Sequence, residues 1–226
     1  YKGFIDNPLI IKRANLFYQD MDKKTISFLN LKKINMEFND KIDNDIVTSN
    51  GEVFNIPFNA TWKQDLKKKV QISNIKFKKI NLNILNSTKF INKKKKNKLQ
   101  VYLNRSRYVI DYDLDDKQIN FVSNNSFIGN DKLIFSGKIY LDPFNFNIDS
   151  SLDSLKLKKL LLNNLLLKEI LSKDFFLNEN FNGNINLIVK NLENNPLFNN
   201  LNINLNFKGQ TLEFNNSVFL NKKIAN

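Results

Sequence analysis

Apolar and polar residues alternate along most of this chain with a period of two, the pattern of strands that bury one face. Leu201, Ile203, Leu205 and Phe207 alternate with Asn202, Asn204 and Asn206. Phe181, Ile185, Leu187 and Val189 share one parity, with Gly183 among them. Tyr108, Ile110 and Tyr112 alternate with Asp111 and Asp113. Leu133, Phe135, Ile139 and Leu141 flank Gly137, and Asp142-Pro143 reads as a tight turn into Phe144, Phe146 and Ile148. Earlier stripes are Ala14-Leu16-Tyr18, Ile34-Met36-Phe38, Ile80-Leu82-Ile84 and Leu99-Val101-Leu103. Pro57 lacks the amide a ladder needs, which places it at an edge, a bulge or a strand end. The parity of Val70 and Ile72 changes at Ile75 and Phe77, which predicts a bulge or break near Asn74. Short turns between these stripes predict sequential antiparallel pairing of roughly a dozen or more strands.

One segment departs from this period. Around 155–177, Leu160, Leu161, Leu162, Leu165, Leu166, Leu167, Ile170 and Leu171 recur at helical spacing. The expectation is a short leucine-rich helix, capped by Asp153 or Ser154, that packs over or plugs one end of the apolar sheet. The whole of 1–226 reads as a single domain.

Composition changes the picture in three ways. There is no cysteine or histidine, so disulfides, ordinary zinc and haem sites, and Ser-His-Asp or Cys-His triads are excluded. Glycine is scarce and asparagine abundant, six against 41, so asparagine is expected to take left-handed turn positions. Twenty phenylalanines, mostly at strand parity, make a broad apolar face that a second sheet, a helix or a ligand must cover.

The net charge of +13 favours anionic partners, but only Arg13, Arg105 and Arg107 supply the bidentate contacts usual in nucleic-acid binders. No nucleic-acid partner is expected. The run Lys93–Lys96 reads as a solvated loop, with contact to acidic lipid as the sharper alternative. Asp111 and Asp113 lie opposite the apolar stripe and face solvent, so they do not read as an acid–base pair or metal site. No phosphate loop occurs, and no cofactor or enzymatic activity is expected.

Several stretches resemble the AsmA-like proteins, with their TamB-like and YhdP-like members. They are Ile10 to Asp20, Ile26 to Leu31, Ile34 to Phe38, Ser49 to Phe58 and Phe135 to Phe144, followed by the leucines from Leu155. The resemblance implies a mainly β fold: a long curled antiparallel sheet, a β-taco or groove. It implies a segment of an envelope protein that carries phospholipid acyl chains between inner and outer membranes, or aids outer-membrane assembly. It also implies a periplasmic location, an inner-membrane anchor outside this sequence, and contact with a membrane surface and with further segments of a longer chain. The chain starts at Tyr1 rather than Met, which agrees with that expectation. The residues expected to line the groove are Phe135, Ile139, Phe181, Ile185, Leu187, Ile203, Leu205 and Phe207.

The main rival is a structural or adhesive β-solenoid or β-sandwich that binds no ligand and fills its interior with its own side chains. An outer-membrane barrel would need longer, more even strands. A nucleic-acid binder would gather its lysines on one face.

Overall fold

A computed structural model describes residues 8–19, 25–39, 44–53, 55–91, 94–156, 181–194, 198–209, 211–215 and 217–220. Its strands are β1 (Leu9–Gln19), β2 (Thr25–Asn39), β3 (Asn44–Val53), β4 (Ile56–Asp65), β5 (Val70–Phe77), β6 (Leu82–Ile91), β7 (Lys94–Leu103) and β8 (Ser106–Leu114). They continue as β9 (Gln118–Ile128), β10 (Asp131–Leu141), β11 (Phe144–Leu152), β12 (Gly183–Val189), β13 (Asn200–Lys208), β14 (Thr211–Phe214) and β15 (Val218–Leu220). All fifteen join one sheet in sequence order from β1 to β14, and β15 pairs with β13.

The turns follow from the residues that close them. Asn55, Asn81, Asn104 and Asn194 all have positive φ, the conformation that an amide side chain tolerates and most others resist. Asp115 accepts hydrogen bonds from the amides of Lys117 and Gln118, which closes the β8–β9 turn. Pro57 sits at the second position of β4 opposite Glu52, near the strand end, and β5 begins to pair only at Asn59.

Two buried clusters hold the apolar face. One gathers Leu31, Ile56, Phe58, Phe77 and Ile80 from the first strands. The other gathers Leu133, Leu152, Leu155, Val189, Leu192 and Leu201, with Val189 fully inaccessible. Between them, Asn86, Thr88, Asn97 and Tyr112 make the same face polar. Tyr112 donates to Asn86 at 2.9 Å and Thr88 to Asn97 at 2.8 Å, so these groups are satisfied within the sheet.

Several expectations are corrected. Among the described residues the sheet is open: β1 and β14 are its ends and do not pair with each other, so strand pairing closes no groove. Nor is it wholly antiparallel: β11 and β12 run parallel, Phe146 beside Gly183 through Leu152 beside Val189. Parallel neighbours need a long crossover, and about thirty residues separate Leu152 from Gly183. The helix expected around 155–177 falls mostly in residues 157–180, outside those described. Leu155 itself forms a parallel bridge with Leu192, and the only helical turn among the described residues is the 3-10 turn Lys78–Ile80.

The break near Asn74 is also corrected. β5 pairs without a shift from Val70 to Phe77, and Ile72 points to the other face, 41% exposed. Of the lysine run, Lys93 lies outside the described residues, and the rest is strand rather than loop. Lys94, Lys95 and Lys96 open β7, opposite Ile91, Phe90 and Lys89.

Candidate functional site

Seven of the eight residues expected to line a groove fall on one face of the sheet by register. Cross-strand register sets seven of them in three rows. One row runs Ile139, Phe146, Gly183, Phe207; the next runs Gly137, Ile148, Ile185, Leu205; the third runs Phe135, Ser150, Leu187, Ile203. Phe181, the eighth, lies just before β12.

These side chains pack on one another. The ring of Phe146 lies 5.0 Å from that of Phe181 and 5.5 Å from that of Phe207, and Phe181 meets Phe207 edge-on at 5.6 Å. Phe144 completes the set at 6.0 Å from Phe181. These separations lie in the range of favourable aromatic pairs. Two glycines make the packing possible. A Cβ on Gly183 would stand 2.5 Å from Cγ of Phe146, and one on Gly137 would stand 2.7 Å from Cζ of Phe121. Each glycine therefore holds a seat for a neighbouring ring.

Among the described residues a hollow lies on the opposite face. A concavity of about 770 Å³ lies over β7 to β11. Two cross-strand rows form its floor. One runs Asp111, Val122, Ser136, Asp149, and the other Asp113, Asn120, Lys138, Asn147. Both rows continue onto β12, where Asn184 donates to Asn147 at 3.2 Å and Asn186 to Asp149 at 3.4 Å. Strands about 4.8 Å apart thus present a repeating array of amides and charges. Asp111 and Asp113 are exposed, and Asp111 faces Lys98 at 3.9 Å. Nothing in this floor withdraws a carboxylate from water as acid–base chemistry requires.

A second polar cluster was not foreseen. The parallel crossover brings Asp153, Ser154 and Lys156 beside Lys190 and Glu193. The Ser154 hydroxyl contacts Asp131 at 2.7 Å and also Glu193. Lys156 meets Glu193 at 2.8 Å, and that hydrogen bond raises its ammonium above its ordinary range. Lys190 pairs with Asp153 at 2.7 Å. These partners lie 23 to 39 residues apart, and no local spacing marks them. Among the described residues no three metal-ligating side chains converge.

The expected phospholipid groove is therefore corrected, and with it the acyl-chain and membrane-surface partners. The apolar residues assigned to it pack against one another, and the concavity lies elsewhere, lined by Val122, Phe121 and Tyr112 together with Lys, Asp, Asn and Ser. Comparison with protein-family models, with curated proteins and with solved structures finds no match for this chain.

Proposed function

We propose that the chain is a structural or adhesive β-protein: a non-catalytic sheet that binds no ligand in its interior and works by the surface it presents. One observation carries this reading. The apolar side chains best placed to hold a ligand instead hold one another, with Phe146, Phe181 and Phe207 in mutual ring contact above Gly183. Interiors packed in this way are stabilised by their own contacts and leave no room for a guest. The architecture is a single open sheet, which differs from both a solenoid and a two-sheet sandwich. Its polar rows are the surface on which contacts with other molecules would be made.

The test is to purify the chain from cells under mild conditions and extract it for lipid mass spectrometry. The extracted protein is then unfolded and refolded without lipid. The scaffold reading expects no stoichiometric lipid and recovery of the same cooperative transition. A stoichiometric phospholipid, or refolding that needs lipid, would overturn it.

A further inference from the structure

The hollow over β7 to β11 is built on strands with no backbone to spare. β8, β9, β10 and β11 each pair on both flanks, so an extended peptide finds no edge there to extend. Whatever settles in the hollow must be held by side chains. Register fixes their order. Asp113, Asn120, Lys138 and Asn147 follow one another across four neighbouring strands, about 4.8 Å from strand to strand. In hydrogen-bonding terms that row reads acceptor, either, donor, either, because a carboxylate only accepts, an ammonium only donates and an amide does both. The next row sets Val122 and Ser136 between Asp111 and Asp149. Val122 is 41% exposed and puts an apolar spot among these polar groups.

Two of the acceptors are held in place by the neighbouring strand. Asn184 donates to Asn147 at 3.2 Å and Asn186 to Asp149 at 3.4 Å. Among the described residues no hydrogen bond or ion pair engages the side chains of Asp113, Asn120, Ser136 and Lys138. Charge cancels across the site. Three carboxylates, of Asp111, Asp113 and Asp149, stand with Lys96 and Lys138 in the lining and with Lys98, 3.9 Å from Asp111. A strongly charged ligand therefore meets no field of the opposite sign.

These features select a ligand by its chemistry. A hydroxyl donates to a carboxylate, accepts from an ammonium and does either with an amide, so a group of this kind meets every member of both rows. A sugar ring carries such hydroxyls at close spacing, is neutral, and has a C–H face to lie on Val122. The hollow is also wide at the mouth, with Asp113, Ser136, Lys138 and Asn147 all exposed. At about 770 Å³ it has the size of a ligand site, and its openness to solvent suits a chain that crosses it.

We propose that this hollow binds a neutral polysaccharide, laid across β8 to β11 with its hydroxyls on the two polar rows. The inference rests on the reading of the chain as a sheet that works by its surface, and gives that surface a partner.

The test is titration of the full chain with cellohexaose, maltohexaose and chitohexaose, followed by calorimetry and by side-chain amide and methyl signals in NMR. At least one sugar should bind saturably and move the signals of Asn120, Asn147 and Val122. Asp113→Ala combined with Asn120→Ala should weaken that binding about tenfold or more, at an unchanged melting curve. Ser136→Trp, at an exposed position, should fill the hollow and abolish it. Lys76→Ala, on β5 and outside the hollow, should leave it unchanged. Affinity should hold as ionic strength rises from about 0.05 to about 0.5 M, because a neutral ligand releases no counterions. No saturable binding of any of the three sugars, binding that the hollow substitutions leave intact, or binding that salt removes would overturn the proposal. In each of those cases a lipid-free chain still stands as a scaffold, whereas bound lipid would sink that reading and leave the sugar titration as it is.

Discussion

β1 and β13 carry the same kind of sequence and meet different fates. In β13, Leu201 is 3% and Phe207 7% exposed. In β1 every residue is exposed except Ala14, which is half-buried. Both strands alternate and both contain three or more large apolar side chains. β13 has strands on both flanks, β12 on one and β14 with β15 on the other. Its leucines reach residues delivered from β10, β11 and the crossover, including Leu133, Leu152 and Leu155. Among the described residues β1 pairs with β2 alone, and its Tyr18 hydroxyl reaches the Leu141 carbonyl. Alternation thus specifies which side chains share a face, whereas coverage of that face depends on what the topology brings near.

The comparison breaks most visibly at Leu152, which is 1% exposed at the centre of the second cluster. Leu152→Ala should lower unfolding free energy by about 2–5 kcal/mol, read by denaturant titration. A loss below about 1 kcal/mol would mean the cluster collapses around the gap or is not the folding core.

A middle effect is expected at the β9 irregularity. Register shifts on both sides of β9, and the Ser126 hydroxyl there accepts the Val109 amide at 2.8 Å. Ser123 and Ser126 are both fully buried and share a hydrogen bond at 2.5 Å. Ser126→Ala strands a buried amide and should cost about 1–3 kcal/mol by the same titration, whereas Ser126→Thr should recover part of it. At the edge strand, Leu16→Ala should change stability by less than about 0.5 kcal/mol, because Leu16 is 56% exposed.

The smallest effect is an acid one. Amides of Lys68 at one turn, and of Lys117 and Gln118 at another, hold Asp65 and Asp115 below their ordinary value of 3.8. A carboxylate lowered by folding contributes stability that is present above that ordinary value and fades as pH falls through the folded one. Thermal melts should therefore be level from pH 7 down to about 4 as far as these two turns are concerned, then decline. Asp115→Asn should flatten that decline in part.

Much of the fold was legible because its signals are local. Strand parity needs only neighbours two residues apart, and asparagine at positive φ needs only its own side chain, as at Asn81 and Asn104. What failed was non-local or masked by polarity. The parallel β11–β12 pair depends on where a long connection returns. Lys94 to Lys96 join a strand because β6 pairs with them, although their side chains carry no apolar pattern. Ile72 suggested a break because an outward isoleucine looks like a change of parity. Register puts seven of the eight candidate residues on one face, yet strand parity could not reveal that Phe146 would pack against Phe181 and Phe207 there.

The most direct test of the contrast between the two ends of the sheet is amide hydrogen exchange resolved by strand. Amides of β11, β12 and β13 should exchange slowest, at rates set by global unfolding, and those of β1 fastest among the paired strands. Equal protection across the sheet, or slower exchange in β1 than in β12, would contradict the account.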